Sequence, residues 1–146
     1  MNLQAFLPYR LAVVAEAVSR SLAAVYAERF KLTRDEWRIL AALAARDDIK
    51  GTELGALTTL DKMQVSRALT RMERDGLIER TPDETDRRNL IVRLRPLGRT
   101  LYRKIVPMAQ AREAYLFESL DDEERHALSS ALDKLLVRAR QLQEHG

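Results

Sequence analysis

The chain has no cysteine, and that absence removes disulfides, thiolate metal sites and thiol redox switches together. Histidine is nearly as scarce: His126 and His145 are the only two, too few and too far apart for a zinc motif. Five glycines and four prolines in 146 residues leave little irregular chain, so helix is expected to dominate. No run of about eighteen apolar residues occurs and no basic-then-apolar leader opens the chain, so neither a membrane span nor a signal peptide is expected and the expected compartment is the cytoplasm. An enzyme is not expected either. The chain has one domain's length, no glycine-rich phosphate loop, no cluster of metal ligands and no nucleophile with a nearby histidine, so neither cofactor nor metal is implied.

What is present is charge, and it is unevenly spread. The formal net charge is only +3, but Asp61 to Lys104 holds twelve Lys or Arg against seven Asp or Glu, whereas Glu113 to Asp133 holds seven acids and one Arg. Basic charge gathered in the middle of the chain is where a phosphate backbone would use it, with an ordinary solvated face as the alternative.

Apolar periodicity organises the rest. Leu7, Leu11, Val14, Val18, Leu22 and Val25 recur at steps of four and three, so a long amphipathic helix is expected from Pro8 to Arg29. "LTRDEW" is a helix start, with Thr33 as N-cap, Glu36 as its capping-box partner, and Leu32 with Trp37 as hydrophobic staple; that helix runs to about Arg46, where Asp47 and Asp48 break it. Thr52 is expected to cap a short third helix through Leu57, "TTLD" reads as a turn, and a fourth helix spans Asp61 to Asp75 with Gly76 as its left-handed stop. "TPDETDRRNLIVRL" then reads as a hairpin: Pro82, Asp83 and Asp86 favour a turn, and Leu90, Val92 and Leu94 alternate with Ile91 and Arg93. A fifth helix is expected from Pro96 to about Glu118, with a bend at Pro107, and a sixth from Asp121 to about Glu144. No internal repeat, low-complexity tract or long linker interrupts this order of four helices, two strands and two helices.

The third and fourth helices form a helix-turn-helix, and the hairpin behind them is the wing of a winged helix. Val65, Leu69 and Met72 share one stripe of the fourth helix, while Met63, Gln64, Arg67, Thr70, Arg71 and Arg74 occupy the opposite arc, with Lys62 and Ser66 beside them. Long donors, hydroxyls and one apolar tip suit base edges in a major groove and the flanking phosphates of double-stranded DNA. Arg67 and Arg71 fit guanine, Gln64 fits adenine, Met63 fits a thymine methyl, and Arg74, a turn deeper, fits phosphate. At the wing tip, Arg88 would enter the adjacent minor groove with Asp86, two residues back, holding its guanidinium, while Arg87 takes a phosphate. A winged-helix module that binds protein through the same basic face, and not DNA, is the competing reading.

"TRDEWRILAAL", "LDKMQVSRALTRMERDGLIERTPDETDRRNLIVRL" and the helix after "PLG" resemble the MarR family of bacterial winged-helix transcription regulators. The likeness covers nearly the whole chain, and "RMERDGLIER" followed by Asp86 and Arg88 is its most specific part. It implies a mainly α fold with a small β-hairpin wing, a winged-helix DNA-binding lobe over 33–107, and a dimerisation region of residues 1–32 and 108–146 built from the first and last helices. It implies a homodimeric, sequence-specific regulator, a repressor by expectation, on a roughly palindromic site, and an effector pocket between the two regions. Small aromatic acids are the family-level expectation for the ligand, whose contact residues the sequence does not name. Trp37 and Tyr102 are candidates, although the staple already explains Trp37 and core is the favoured role for both. The chain departs from the family's common Leu-Thr after the wing strand, having Leu94 and Arg95, and its lack of cysteine excludes the family's peroxide-sensing mechanism.

Overall fold

The computed structural model describes every residue from Met1 to Gly146. After a 3-10 turn at Leu3–Ala5 come α1 (Leu7–Phe30), α2 (Arg34–Ala45), β1 (Ile49–Lys50), α3 (Gly51–Thr58), α4 (Lys62–Arg74), β2 (Ile78–Pro82), β3 (Leu90–Leu94), α5 (Pro96–Glu118) and α6 (Asp122–His145). The chain divides into two compact units, Met1–Ala109 and Gln110–Gly146. No helix is long and apolar enough to cross a membrane.

The first unit holds the core. Ile39, Leu40 and Leu43 of α2, Leu54 of α3, Val65, Ala68, Leu69 and Met72 of α4, Ile78 and Val92 of the sheet and Ile105 of α5 are buried together. Helix α2 starts where expected: the Thr33 side chain accepts from the Glu36 amide while the Glu36 carboxylate faces the Thr33 amide, so two orphan donors of the first turn are satisfied. The same device opens α4, with Asp61 and Gln64 in place of Thr33 and Glu36. Gly76 then ends the α4 segment at φ +76, a backbone conformation that costs glycine nothing.

Two boundaries differ from the sequence-based expectation. The sheet has three strands, ordered β1-β3-β2 and antiparallel throughout, because Ile49 and Lys50 pair with Val92 and Ile91. A two-residue strand shows no periodicity, but its partner β3 lends it hydrogen bonds, and Ile49 is fully buried there. Pairing Lys50 also moves the start of α3 forward, so Lys50 is the N-cap and Thr52 lies inside the helix, exposed. Helix α5 continues through Pro107 without interruption.

The wing leans on this core as a lone hairpin must. Strand β2 pairs with β3 from Ile78 opposite Leu94 to Pro82 opposite Leu90. Gly98, at the start of α5, lies so close to the Leu77 carbonyl oxygen that a Cβ there would collide with backbone, and the same oxygen accepts from the Arg95 amide at 2.9 Å. The base of the wing and the first turn of α5 are thereby joined backbone to backbone.

The second unit consists of the end of α5 and α6. Asp121 and Glu124 form a third capping box, and the Arg125 Nε donates to the Phe117 carbonyl at 2.9 Å. None of the 24 residues of α6 is buried, although Leu128, Leu132, Leu135, Leu136 and Leu142 recur along it.

Candidate nucleic-acid interface

Helix α4 buries one narrow stripe and leaves the rest of its circumference to solvent. Val65, Ala68, Leu69 and Met72 face the core, and Lys62, Met63, Ser66, Arg67, Thr70, Arg71 and Arg74 are exposed, with Gln64 half-buried. The stripe expected from periodicity is therefore the observed one, widened by Ala68. Every predicted residue of the outer arc lies on a single face.

The polar groups of that face are not equivalent. Gln64 spends its side-chain oxygen on the Asp61 amide at 3.0 Å, so a two-point contact with adenine would require opening the cap. Thr70 donates its hydroxyl to the Ser66 carbonyl at 2.9 Å, which leaves that oxygen as an acceptor. Arg74 turns to Asp75 at 3.2 Å, away from the N-terminal half of the helix. Arg71 is held at 3.2 Å by Glu36, whose side chain is only 4% exposed. Lys62 and Arg67 have no ion-pair partner, and Met63 projects with 61% of its surface exposed. Arg67, Thr70, Ser66, Gln64 and Arg71 line one side of a groove of about 640 Å³ completed by Asp35 of α2.

The wing tip is a turn, not a continuation of the strands. The Asn89 amide donates to the Asp86 carbonyl at 3.0 Å, which puts Arg87 and Arg88 at the two central positions of a β-turn. Asp86 does hold Arg88, but the i to i+2 relation works through this turn and not through strand alternation. One carboxylate oxygen accepts from both the Arg88 amide and its Nε at 3.2 Å. Arg88 is 91% exposed, so the guanidinium is tethered yet fully presented, while Arg87 is exposed without an ion-pair partner.

Below the tip, Asp83 makes the local turn contact expected of it, while charge pairs not anticipated from sequence brace the wing. Asp83 is buried and accepts from the Thr85 amide at 3.1 Å and hydroxyl at 3.0 Å with one oxygen. Its other oxygen has no hydrogen bond and lies 3.6 Å from Lys50 Nζ in β1, a charge contact that compensates its burial. Arg80 forks onto both carboxylate oxygens of Glu73 at 3.0 and 3.2 Å, linking β2 to α4. Arg93 reaches Asp48 at 2.6 Å. These pairs span seven to forty-five residues, and no local motif announces them. Between α4, α3 and the wing a groove of about 600 Å³ is floored by Leu60, Val65 and Leu90 and rimmed by Lys62, Ser66 and Arg88.

On the other side of α2, Trp37 stacks between Tyr26 (5.8 Å between centroids) and Tyr102 (6.1 Å), so the two rings singled out from sequence meet directly, and Tyr26 joins them as a third. Burial pushes the Tyr26 hydroxyl above its ordinary pKa. Trp37 and Arg38 also line an open cavity of about 560 Å³ with Ala41, Ala42, Leu57 and Thr58.

Residues 30–89, which contain α2 through the wing turn, match the MarR family. The homoprotocatechuate degradative operon repressor of Escherichia coli is 34% identical over 88 residues, 60% of this chain and 58% of that protein. The transcriptional activatory protein BadR of Rhodopseudomonas palustris is 31% identical over 108 residues, 72% of this chain and 61% of that one. The chain thus spans less than two thirds of the length of these relatives. A MarR/EmrR family transcriptional regulator from Acinetobacter sp. ADP1 superposes with a TM-score of 0.87 at 26% identity, covering 97% of this chain and 99% of the other.

The bracing of the wing generates an acid sensitivity. The Thr85 amide and hydroxyl, and then the Lys50 charge, hold the Asp83 carboxyl below the usual carboxylate range. A depressed folded pKa means that its stabilisation is complete above the unfolded value of about 3.9 and is lost as pH falls through the lower folded value. The stability gap between the wild type and Asp83→Asn, measured by urea denaturation, is expected to be constant from about pH 7 to pH 5 and to shrink below about pH 4. A gap independent of pH would show that Asp83 ionisation does not support the wing.

Proposed function

Because the chain belongs to the MarR family of winged-helix transcription regulators, we propose that it binds double-stranded DNA in a sequence-specific manner as a cytoplasmic homodimeric repressor, with residues 33–107 as the DNA-binding lobe. The observation that carries this reading is the single outward face shared by α4 and supplied with loose cations, Lys62 and Arg67, beside a wing whose tip presents Arg87 and Arg88. Helix α4 enters the major groove, Arg67 and Met63 meet base edges, and Arg88 reaches the adjacent minor groove. Repression as the sign of regulation follows the named function of the Escherichia coli relative, whereas the Rhodopseudomonas palustris relative is named as an activator.

The double-mutant cycle of Asp86 and Arg88 tests the interface. Arg88→Ala is expected to weaken duplex binding and to lower the salt slope by about one, since one fewer cation displaces counterions. Asp86→Ala removes a negative charge near DNA yet frees the guanidinium, so an orienting role predicts a net loss that nearly vanishes in the Arg88→Ala background. Tighter binding by Asp86→Ala, or additive effects measured by fluorescence anisotropy at two salt concentrations, would make the pair ordinary surface charge. Salt-independent binding throughout would favour a protein partner over DNA.

Dimerisation rests on the apolar residues left uncovered near both termini. Leu7 (64% exposed), Val14 (60%), Leu135 (50%) and Leu142 (70%) belong to the seams of α1 and α6, and a second copy using residues 1–32 and 108–146 would bury them. Two α4 helices one helical turn apart then ask for a nearly palindromic site. Light scattering at micromolar concentration is expected to give twice the chain mass, with Leu135→Glu shifting it toward one; a folded wild-type monomer would refute the dimer.

A small aromatic acid is the effector we propose, its ring against the edge of Trp37 and the apolar side chains of Ala41, Ala42 and Leu57, and its carboxylate toward Arg38, in the cavity they line. Trp37 is the single tryptophan, so titration with homoprotocatechuate should quench the intrinsic fluorescence. Unchanged emission up to about 1 mM, the weak end of useful affinity, would exclude homoprotocatechuate as the ligand of this cavity.

A further inference from the structure

Glu36 carries a charge that its local role does not need. A capping box is satisfied by glutamine as well as by glutamate, and α4 of this chain uses Gln64 for that purpose. At the head of α2 the side-chain oxygen of residue 36 meets the Thr33 amide at 3.4 Å and hydroxyl at 3.0 Å, contacts that an uncharged amide would also make. What glutamate adds is an ionised group at 3% exposure, costly to bury without a counter-charge, and its one ionic partner is Arg71, thirty-five residues later, at 3.2 Å.

Arg71 sits on the outer face of α4 with its side chain 45% exposed. Arg67, one turn earlier on the same face, has no carboxylate partner. A loose arginine beside DNA takes whichever phosphate comes within reach, which strengthens binding to every sequence alike. A tethered one has lost that freedom: it keeps one rotamer, is partly neutralised, and offers the remaining N–H donors of its fork only to a group presented at that place.

We propose that Glu36 is a specificity-determining residue that acts through Arg71, holding its guanidinium so that it discriminates between base sequences instead of adding indiscriminate phosphate affinity. The inference rests on the DNA-binding reading above and goes beyond it by assigning specificity to a buried residue outside the recognition helix that does not face DNA.

The test compares the wild type with Glu36→Gln, Arg71→Ala and the double variant. Glu36→Gln keeps the capping box, so a near-native melting temperature is expected. In the DNA-free proteins, peptide mapping after phenylglyoxal treatment should show faster modification of Arg71 in Glu36→Gln; an unchanged rate would overturn the tether. Each protein is then titrated against a random-sequence duplex and a duplex selected by the wild type from a random pool, at several salt concentrations. Glu36→Gln is expected to bind the random duplex several-fold more tightly, to steepen its salt slope by up to one, and to lose about tenfold in discrimination. The double variant should match Arg71→Ala. Discrimination equal to wild type in Glu36→Gln, multiplying effects in the double variant, or equal weakening on both duplexes with a lowered melting temperature would each overturn the proposal, the last by reducing Glu36 to a structural role. A wild type that binds neither duplex would overturn the DNA-binding reading itself, and the phenylglyoxal result separates that failure from failure of the tether.

Discussion

Burial of four side chains, Val65, Ala68, Leu69 and Met72, on one stripe of α4 is the constraint from which the candidate interface follows. A helix that buries only a narrow stripe has its rotation fixed by that stripe, because turning it by one residue would expose a leucine and bury an arginine. Each large-to-small change in such a stripe would cost about 2–5 kcal/mol, far more than the surface ion pairs around it. Core packing therefore decides which residues face outward, and the charges only refine what they do there. Ile39, Leu40 and Leu43 of α2 supply much of the opposing surface, which makes α2 the platform of α4.

On that platform the arginines fall into two groups. Arg71, Arg74, Arg80, Arg88 and Arg93 each lie against a carboxylate, whereas Arg67 and Arg87 do not. Except for Arg71, whose partner Glu36 is buried, these pairs lie largely in solvent and contribute little to stability, so their use lies in holding a flexible side chain in one place. At Arg80 and Arg93 the pairing fastens the wing to α4 and to the loop before β1. At Arg88 it restrains a side chain that is otherwise entirely in solvent. Net charge says little about this division, since tethered and loose cations count alike.

Much of the architecture was legible in the sequence because it is locally encoded. Thr33 with Glu36 and Asp121 with Glu124 announced two helix starts, and Gly76 announced a stop; Asp61 with Gln64 carried the same signal at α4 and could have been read too. The outer arc of α4 was legible because a period of 3.6 sorts thirteen residues without further information. Strand β1 was not, since two residues carry no period and Ile49 becomes a strand only by pairing with Val92. The second role of Glu36 was hidden for a different reason. Its capping box accounts for it completely at the level of sequence, and the contact with Arg71 exists only after two helices have packed. Lys50 with Asp83 and Arg93 with Asp48 are invisible on the same ground.

The claim on which the account turns is that the outward face of α4 and the wing turn form one surface for duplex DNA. Titrating isotope-labelled protein with a short random-sequence duplex and following backbone amide resonances tests it most directly. Shifts concentrated at Lys62, Met63, Ser66, Arg67 and Thr70 and at Arg87 and Arg88, fading as salt is raised, are the predicted result. Shifts confined to α5 and α6, or a spectrum that does not respond to duplex at low salt, would contradict it.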